Sequence, residues 1–354
     1  MIATQEKVGG YAPHTLKKEK MILLRYGAYG DMIFMSAVLP YLFSKYDIVF
    51  ETNTKGLFLF ANDPRFNLVT FYEPWRLPDD EREKIVKKHW DDIHEKYPDF
   101  RVLNFFQAME GTGIVHESHP DATLLTQDER AAKYGINFYE QHFAMAGLDM
   151  PENFVPSHSI YLTPEEEGWG RQWRSKNRDS FIMLVPIAGS TLQKVFPTWL
   201  ESFCKSMIDE LPRLKIYLLG DLECADEDWE YKRTVSLIPR NKKKTPNFRQ
   251  ALIMAKYADY VFGPETGLLV GAGMWGTPKT TLMTGASIDQ FAKYTLNDYS
   301  EQSTAPCSPC YRTCYTGALC QKEIFYGVYP RCTAAWDFEK LKNNIRDEYV
   351  RRNY

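Results

Sequence analysis

The chain has 354 residues, of which 44% are hydrophobic and 25% charged, and its formal net charge is -3 at pH 7. That length is enough for two domains of ordinary size, and that charge excludes a global pull toward nucleic acid or acidic membranes while leaving room for a local basic patch. No apolar run approaches the ~20 residues that span a bilayer.

The first 20 residues are polar and lack the apolar core of a secretory signal. Their cluster Lys17, Lys18 and Lys20 reads as a solvated tail, with anionic lipid or DNA as its other partners. Seven cysteines without a signal point to a reducing, cytoplasmic setting.

Met21 to Leu24 is an apolar run of strand length, followed by a turn at Gly27 and Gly30. Apolar residues then return near helical spacing at Ile33, Met35, Val38, Leu39 and Leu42. The unit reads strand, glycine turn, helix. Strands are expected at 47–52, 68–72 and 100–104, with a short helix over 58–62 and a charged helix over 81–97. An apolar-faced helix follows at 137–147. The Pro-, Asn- and Ser-rich stretch 149–159 marks a boundary. Beyond it, a helix opens at Thr163-Pro164, and strands are expected at 181–186, 214–220, 235–238, 259–263 and 277–283, the last strand of the chain. Helices interleave, and a charged helix over 337–352 closes the sequence. Alternation at this spacing predicts a parallel, doubly wound sheet in each half.

In such a sheet, ligands bind where strands end and helices begin. Three such turns carry apt residues. Asp31 lies in the first turn of its helix, where the dipole favours an ionised carboxylate. It serves either as a base toward a substrate hydroxyl or as a plain helix cap. Gly189-Ser190-Thr191 with Lys194 offers small groups and one cation to phosphate oxygens, without Walker A spacing. Gly263-Pro-Glu265-Thr266-Gly267 opens a helix whose free N–H groups suit a diphosphate. A carboxylate at Glu265 would repel phosphate, so it reads as a helix cap or as an acceptor for sugar hydroxyls. His116 and His119 follow a strand end and either line the cleft or sit on a surface loop.

The order and spacing of these pieces resemble glycosyltransferase family 9, typified by ADP-heptose:lipopolysaccharide heptosyltransferases. The matching segments are Arg25-Tyr-Gly-Ala-Tyr-Gly-Asp-Met-Ile33, Gly189 to Trp199, Ala258 to Gly267, Gly276 to Gly285 and Cys307-Ser-Pro-Cys310. The resemblance implies a GT-B architecture of two Rossmann-like domains facing across a cleft, with a C-terminal helix crossing back to the first domain. It gives a tail over 1–20, an acceptor-side domain over 21–155, a nucleotide-sugar-binding domain over 160–335 and a terminal helix over 336–354. It implies inverting transfer without a catalytic metal. By position, Asp31 matches the catalytic base and Lys194 a phosphate-contacting lysine beside Ser190 and Thr191. Thr266 and Gly267 match a pyrophosphate turn, and Asp221 or Glu223 an acid near the ribose. Glu265 stands where the family usually has Asp, Val270 where it often has His, and Ser36-Ala37 where Thr-Pro is usual. These departures leave the donor sugar open.

Cys307, Cys310, Cys314, Cys320 and Cys332 form one cluster in the loop 307–332. A structural zinc, free thiols and disulfides all fit their spacing. The resemblance favours a lipopolysaccharide or other surface-glycan acceptor, with peripheral contact to the inner membrane. The basic run Arg240-Asn-Lys-Lys-Lys244, Arg351-Arg352 and many aromatic residues suit a second acceptor, hydroxymethylated DNA. A non-catalytic module that binds nucleotide sugar is a third reading, and the carboxylate at Asp31 argues against it.

Overall fold

The computed structural model describes residues 18–70, 79–106, 108–109, 114–116, 119–156, 159–187, 195–221, 224, 228–239, 245–313, 320, 324–325 and 329–353. The first half runs β1 (Glu19–Arg25), α1 (Tyr29–Ser36), α2 (Leu39–Phe43), β2 (Tyr46–Thr52), α3 (Thr54–Phe60), β3 (Phe66–Thr70), α4 (Asp79–Lys96), β4 (Arg101–Asn104), β5 (Val115–His116), α5 (Asp121–Leu124), α6 (Gln127–Tyr134) and α7 (Phe138–Ala146). The second runs α8 (Pro164–Ser175), β6 (Phe181–Pro186), α9 (Pro197–Glu210), β7 (Leu214–Leu219), β8 (Thr234–Ser236), α10 (Phe248–Tyr257), β9 (Tyr260–Pro264), α11 (Gly267–Met274), β10 (Lys279–Met283), α12 (Ile288–Phe291), β11 (Glu301–Gln302), β12 (Arg312–Thr313), β13 (Ile324–Phe325), β14 (Tyr329–Pro330) and α13 (Phe338–Asn353).

Two large parallel sheets result, in the orders β3-β2-β1-β4 and β11-β10-β9-β6-β7-β8. The chain reverses its direction of travel between β1 and β4 in the first sheet and between β6 and β9 in the second. Those are the switch points, and the turns after β1, β6 and β9 all flank them.

Capping explains where helices begin. The Asn53 side chain accepts from the Lys55 and Gly56 amides, so α3 starts at Thr54, four residues before the expected 58. Thr163 and Glu166 form a reciprocal capping pair at α8, and Asn247 and Gln250 do so at α10. Strand β10 is not the last: the two-residue β11 extends the sheet at its edge, and β12 pairs with β5 of the first half.

Alternate residues of β1 face opposite layers. Ile22 and Leu24 pack with Ile93 of α4, whereas Met21 and Leu23 join a buried cluster that runs on through α1 and α7 into α10, α11 and the second sheet. Phe34 lies edge-on to Phe138, Tyr139 and Phe291, at 5.2, 4.9 and 5.4 Å, so one ring touches both halves. Burying such a ring contributes about 1.5–3 kcal/mol. The halves therefore share a continuous apolar core behind the turns.

The terminal helix α13 differs from the expected crossing back. Its buried face, Leu341, Ile345 and Tyr349, packs in the second-domain cluster with Phe181 and Phe203, and Arg352 pairs with Asp259 at 2.8 Å. Apolar spacing of four residues matches that groove. Among the described residues, no helix is long and apolar enough to cross a membrane.

Candidate active site

The turn after β1 is built around a carboxylate. Gly27 has φ of 122°, and a Cβ there would lie 2.6 Å from Asp31 Oδ2. Only glycine meets both demands. Asp31 Oδ2 accepts from the Ala28 amide at 2.8 Å and faces the Arg25 Nη2 at 3.5 Å. The N-cap of α1 is Ala28, which has no capping side chain, so Asp31 caps the helix from within. The cap fixes one oxygen while the side chain stays 15% exposed, so capping and proton acceptance are compatible. Asn53 ties the next strand end into the turn by donating from Nδ2 to the Gly27 carbonyl at 3.0 Å. On the α4 face of the sheet, the buried Glu51 carboxylate joins Tyr26 and His89.

The facing turn belongs to the second half. Thr266 is the N-cap of α11 and makes no side-chain cap, and its buried Oγ1 has no hydrogen-bond partner among the described residues. The helix thus presents uncapped N–H groups and an unsatisfied hydroxyl. Gly267 lies against Gly30: a Cβ on Gly267 would come 2.8 Å from the Gly30 nitrogen. Tyr29 stacks on Phe248 beside this contact, with ring centroids 3.9 Å apart and planes 9° from parallel. Burial raises the Tyr29 pKa, so the phenol stays neutral. The Asp31 turn and the Thr266–Gly267 turn are therefore joined backbone to backbone.

Glu265 is buried, and its carboxylate accepts from the Thr284 amide, from Thr284 Oγ1 at 3.0 Å and from the Gly285 amide at 3.1 Å. Burial raises its pKa, and those hydrogen bonds oppose the rise. It ties the β10–α12 loop to the turn. The same loop is buttressed from behind, because Ser308 Oγ donates to the Thr284 carbonyl and the Tyr311 amide to the Gly285 carbonyl, both at 2.8 Å.

Asp221 lies two residues past β7 and is exposed, with Cys224 Sγ donating to its Oδ1 at 3.4 Å. Gly189, Ser190, Thr191, Lys194 and Glu223 lie outside the described residues. Strand β6, which precedes the first four in sequence, lies next to β9 in the sheet.

His119 is exposed, and its Nδ1 accepts from the Asp121 amide at 3.2 Å. His116 lies in β5, opposite Thr313 of β12. That segment bridges to the cysteine-rich loop: Val115 donates to the Tyr311 carbonyl at 3.0 Å, and Arg130 Nε to the Cys310 carbonyl at 2.8 Å. Cys307 is exposed, Cys310 and Cys320 are half-buried, and Cys332 is buried. Burial lifts the Cys332 thiol, and Cys310, Cys320 and Cys307 add to the rise. Cys314 lies outside the described residues, and among those described no group of three or more His, Cys, Asp or Glu is arranged to hold a metal ion.

No known family profile and no curated protein matches the sequence. Solved structures do match. A glycosyl transferase family 9 protein from Veillonella parvula superposes with a TM-score of 0.62 at 11% identity, over 94% of this chain and 97% of that one. The Escherichia coli ADP-heptose lipopolysaccharide heptosyltransferase II gives 0.58 at 10%, over 94% and 100%. The iron-containing dodecameric glycosyltransferase TibC from enterotoxigenic E. coli gives 0.57 at 10%, over 96% and 78%. The fold is GT-B. The resemblance read from the motifs is met at this level, with two Rossmann-like domains.

Proposed function

We propose that this chain is an inverting glycosyltransferase that moves a sugar from a nucleotide diphosphate to an acceptor hydroxyl. The observation that carries the reading is the Gly30–Gly267 contact, which sets an ionisable carboxylate beside an uncapped helix N-terminus carrying an unsatisfied hydroxyl. The first suits a hydroxyl that must lose a proton, and the second a leaving diphosphate. In this reading residues 21–155 bind the acceptor and 160–335 the donor.

The acceptor oxygen attacks the anomeric carbon as the bond from that carbon to the diphosphate oxygen breaks. The acceptor proton passes to Asp31. The N–H groups at Thr266 and Gly267, with Lys194, Ser190, Thr191 and Gly189, stabilise charge on the departing diphosphate. Asp221 or Glu223 holds the ribose. Glu265 acts by fixing the 284–285 loop, and no metal enters the step. The E. coli heptosyltransferase WaaC, solved with ADP-2-deoxy-2-fluoro heptose, shares the fold with a TM-score of 0.52, which supports an ADP-sugar as the first donor to try. A cytoplasmic site facing a glycan or glycolipid acceptor fits this chemistry.

The test is mass spectrometry of the full chain incubated with a panel of nucleotide sugars, ADP-heptose included, and with glycolipid or hydroxymethylated DNA as acceptor. A mass gain of one glycosyl unit on either acceptor class supports transfer and names the acceptor. Donor binding with no transfer to any acceptor favours the non-catalytic module. Metal analysis of the same sample decides between structural zinc or iron at Cys307, Cys310, Cys314, Cys320 and Cys332 and bare thiols.

A further inference from the structure

We propose that Arg25 is the positioning residue for Asp31: a buried guanidinium, held by the carbonyl just past β4 while β2 pins its backbone, keeps that carboxylate ionised and aimed. The proposal deepens the transferase reading and rests on it for its catalytic consequence.

Arg25 ends β1 on the same face as Met21 and Leu23, inside the apolar core, and its side chain is 1% exposed. Arginine does not shed its proton on burial, so its charge must be met by acceptors. Nη1 donates to the Phe105 carbonyl, just past β4, at 3.0 Å. Nη2 faces Asp31 Oδ2 at 3.5 Å. On the other flank, Thr52 of β2 donates from Oγ1 to the Arg25 carbonyl at 2.7 Å. The residue is thus fixed from both neighbouring strands at the switch point. A core arginine here has no packing advantage over leucine, whereas a fixed cation behind a carboxylate has an electrostatic one.

Among the described residues, the other charged and titratable groups on the elements packed against α1 are these. Lys55 on α3 lies over the Tyr29 ring at 5.9 Å. The helix α7 carries Tyr139, Glu140 and His142, and α11 carries none, with Glu265 just before it. His142 is buried, its Nδ1 donating to the Phe138 carbonyl at 2.6 Å and its Nε2 without a partner among the described residues. Burial and then Arg25 drive its pKa down to about 3, so it adds no charge at neutral pH. Arg25 is therefore the cation closest to Asp31 among these groups.

An opposite charge in a desolvated site favours the ionised carboxylate. Once Asp31 has taken the acceptor proton, the pair loses its attraction, and the proton is released readily for the next turnover.

The experiment is a carbon-13 titration of the full chain labelled at the aspartate carboxyl carbon, with the Asp31 signal assigned by its loss in Asp31→Asn. In the wild type, the Asp31 midpoint is expected below the ordinary value of about 3.9. In Arg25→Met it should rise by about one pH unit or more, and in Arg25→Lys it should return toward the wild-type position. A wild-type midpoint at or above the ordinary value overturns the proposal without any variant. A folded Arg25→Met with an unmoved midpoint does so as well. Transfer assays then separate the two readings. If Asp31→Asn still transfers sugar, the base assignment falls although the coupling to Arg25 stands. If Asp31→Asn is inactive but the Arg25→Met titration is unmoved, the base stands and the positioning role falls.

Discussion

Gly267 stands so close to Gly30 that a methyl group on it would meet the Gly30 amide nitrogen at 2.8 Å, whereas a methyl on Gly30 would find its nearest neighbour, the Gly267 Cα, at 3.5 Å. The contact is therefore asymmetric. The first distance is a clash with backbone, and the second is ordinary van der Waals contact.

Gly267→Ala is expected to push the two turns apart and to lower stability by about 1–3 kcal/mol, as overpacking does. Gly30→Ala, in the first turn of α1, should leave stability unchanged or slightly improved. Urea denaturation of both variants checks this. Equal effects would contradict the packing described.

Gly27→Ala meets two obstacles, the positive φ and the 2.6 Å approach to Asp31 Oδ2. We expect transfer to fall more than tenfold, about 1.4 kcal/mol or more in barrier, because Asp31 must move. Initial rates at saturating donor report it. A wild-type rate in this variant would mean that the carboxylate's position is unimportant.

His142 predicts acid sensitivity. Its native pKa is pushed down to about 3 from an ordinary 6.5, so the unfolded chain binds a proton at pH values where the native chain does not. Stability from this group is full above the ordinary value and falls as pH drops from 6.5 toward 3, by up to about 1.4 kcal/mol per pH unit. His142→Leu should flatten that limb of a stability–pH curve measured by denaturant titration. An identical slope in the two proteins would remove His142 as the cause.

Arg249 joins the halves behind the turns. It donates from Nη1 to the Leu59 carbonyl at 2.5 Å, from Nη2 to the Tyr161 carbonyl, and from Nε and Nη2 to Glu166, the latter at 2.7 Å. Arg249→Met leaves Glu166 and two carbonyls without this donor. We expect a loss of about 3 kcal/mol, read as a lower denaturation midpoint. A change below about 0.5 kcal/mol would show that the network is replaced by water.

The backbone plan was legible because each unit pairs an apolar run with a glycine turn, and two such series specify two parallel sheets. The turn at Asp31 was legible for the same reason. What stayed hidden depends on residues distant in sequence. Arg25 follows the apolar run Met21 to Leu24 in sequence, and nothing local shows that Phe105 and Asp31 close around it. Glu265 reads as a cap or sugar contact, and only the fold shows that Thr284 and Gly285 both donate to its Oε1. His116 and His119 sit in a segment whose hydrogen bonds run to the cysteine-rich loop, a pairing of β5 with β12 across nearly two hundred residues that no local pattern encodes. The terminal helix shows an apolar stripe in sequence, but which sheet receives it depends on the Phe181–Phe203 groove.

The central claim is tested most directly by Asp31→Asn, which keeps an oxygen for the Ala28 amide and so preserves the turn. With a donor that the wild type uses, the account predicts unchanged donor affinity by calorimetry and no detectable glycosyl transfer by mass spectrometry. Transfer at the wild-type rate would contradict it.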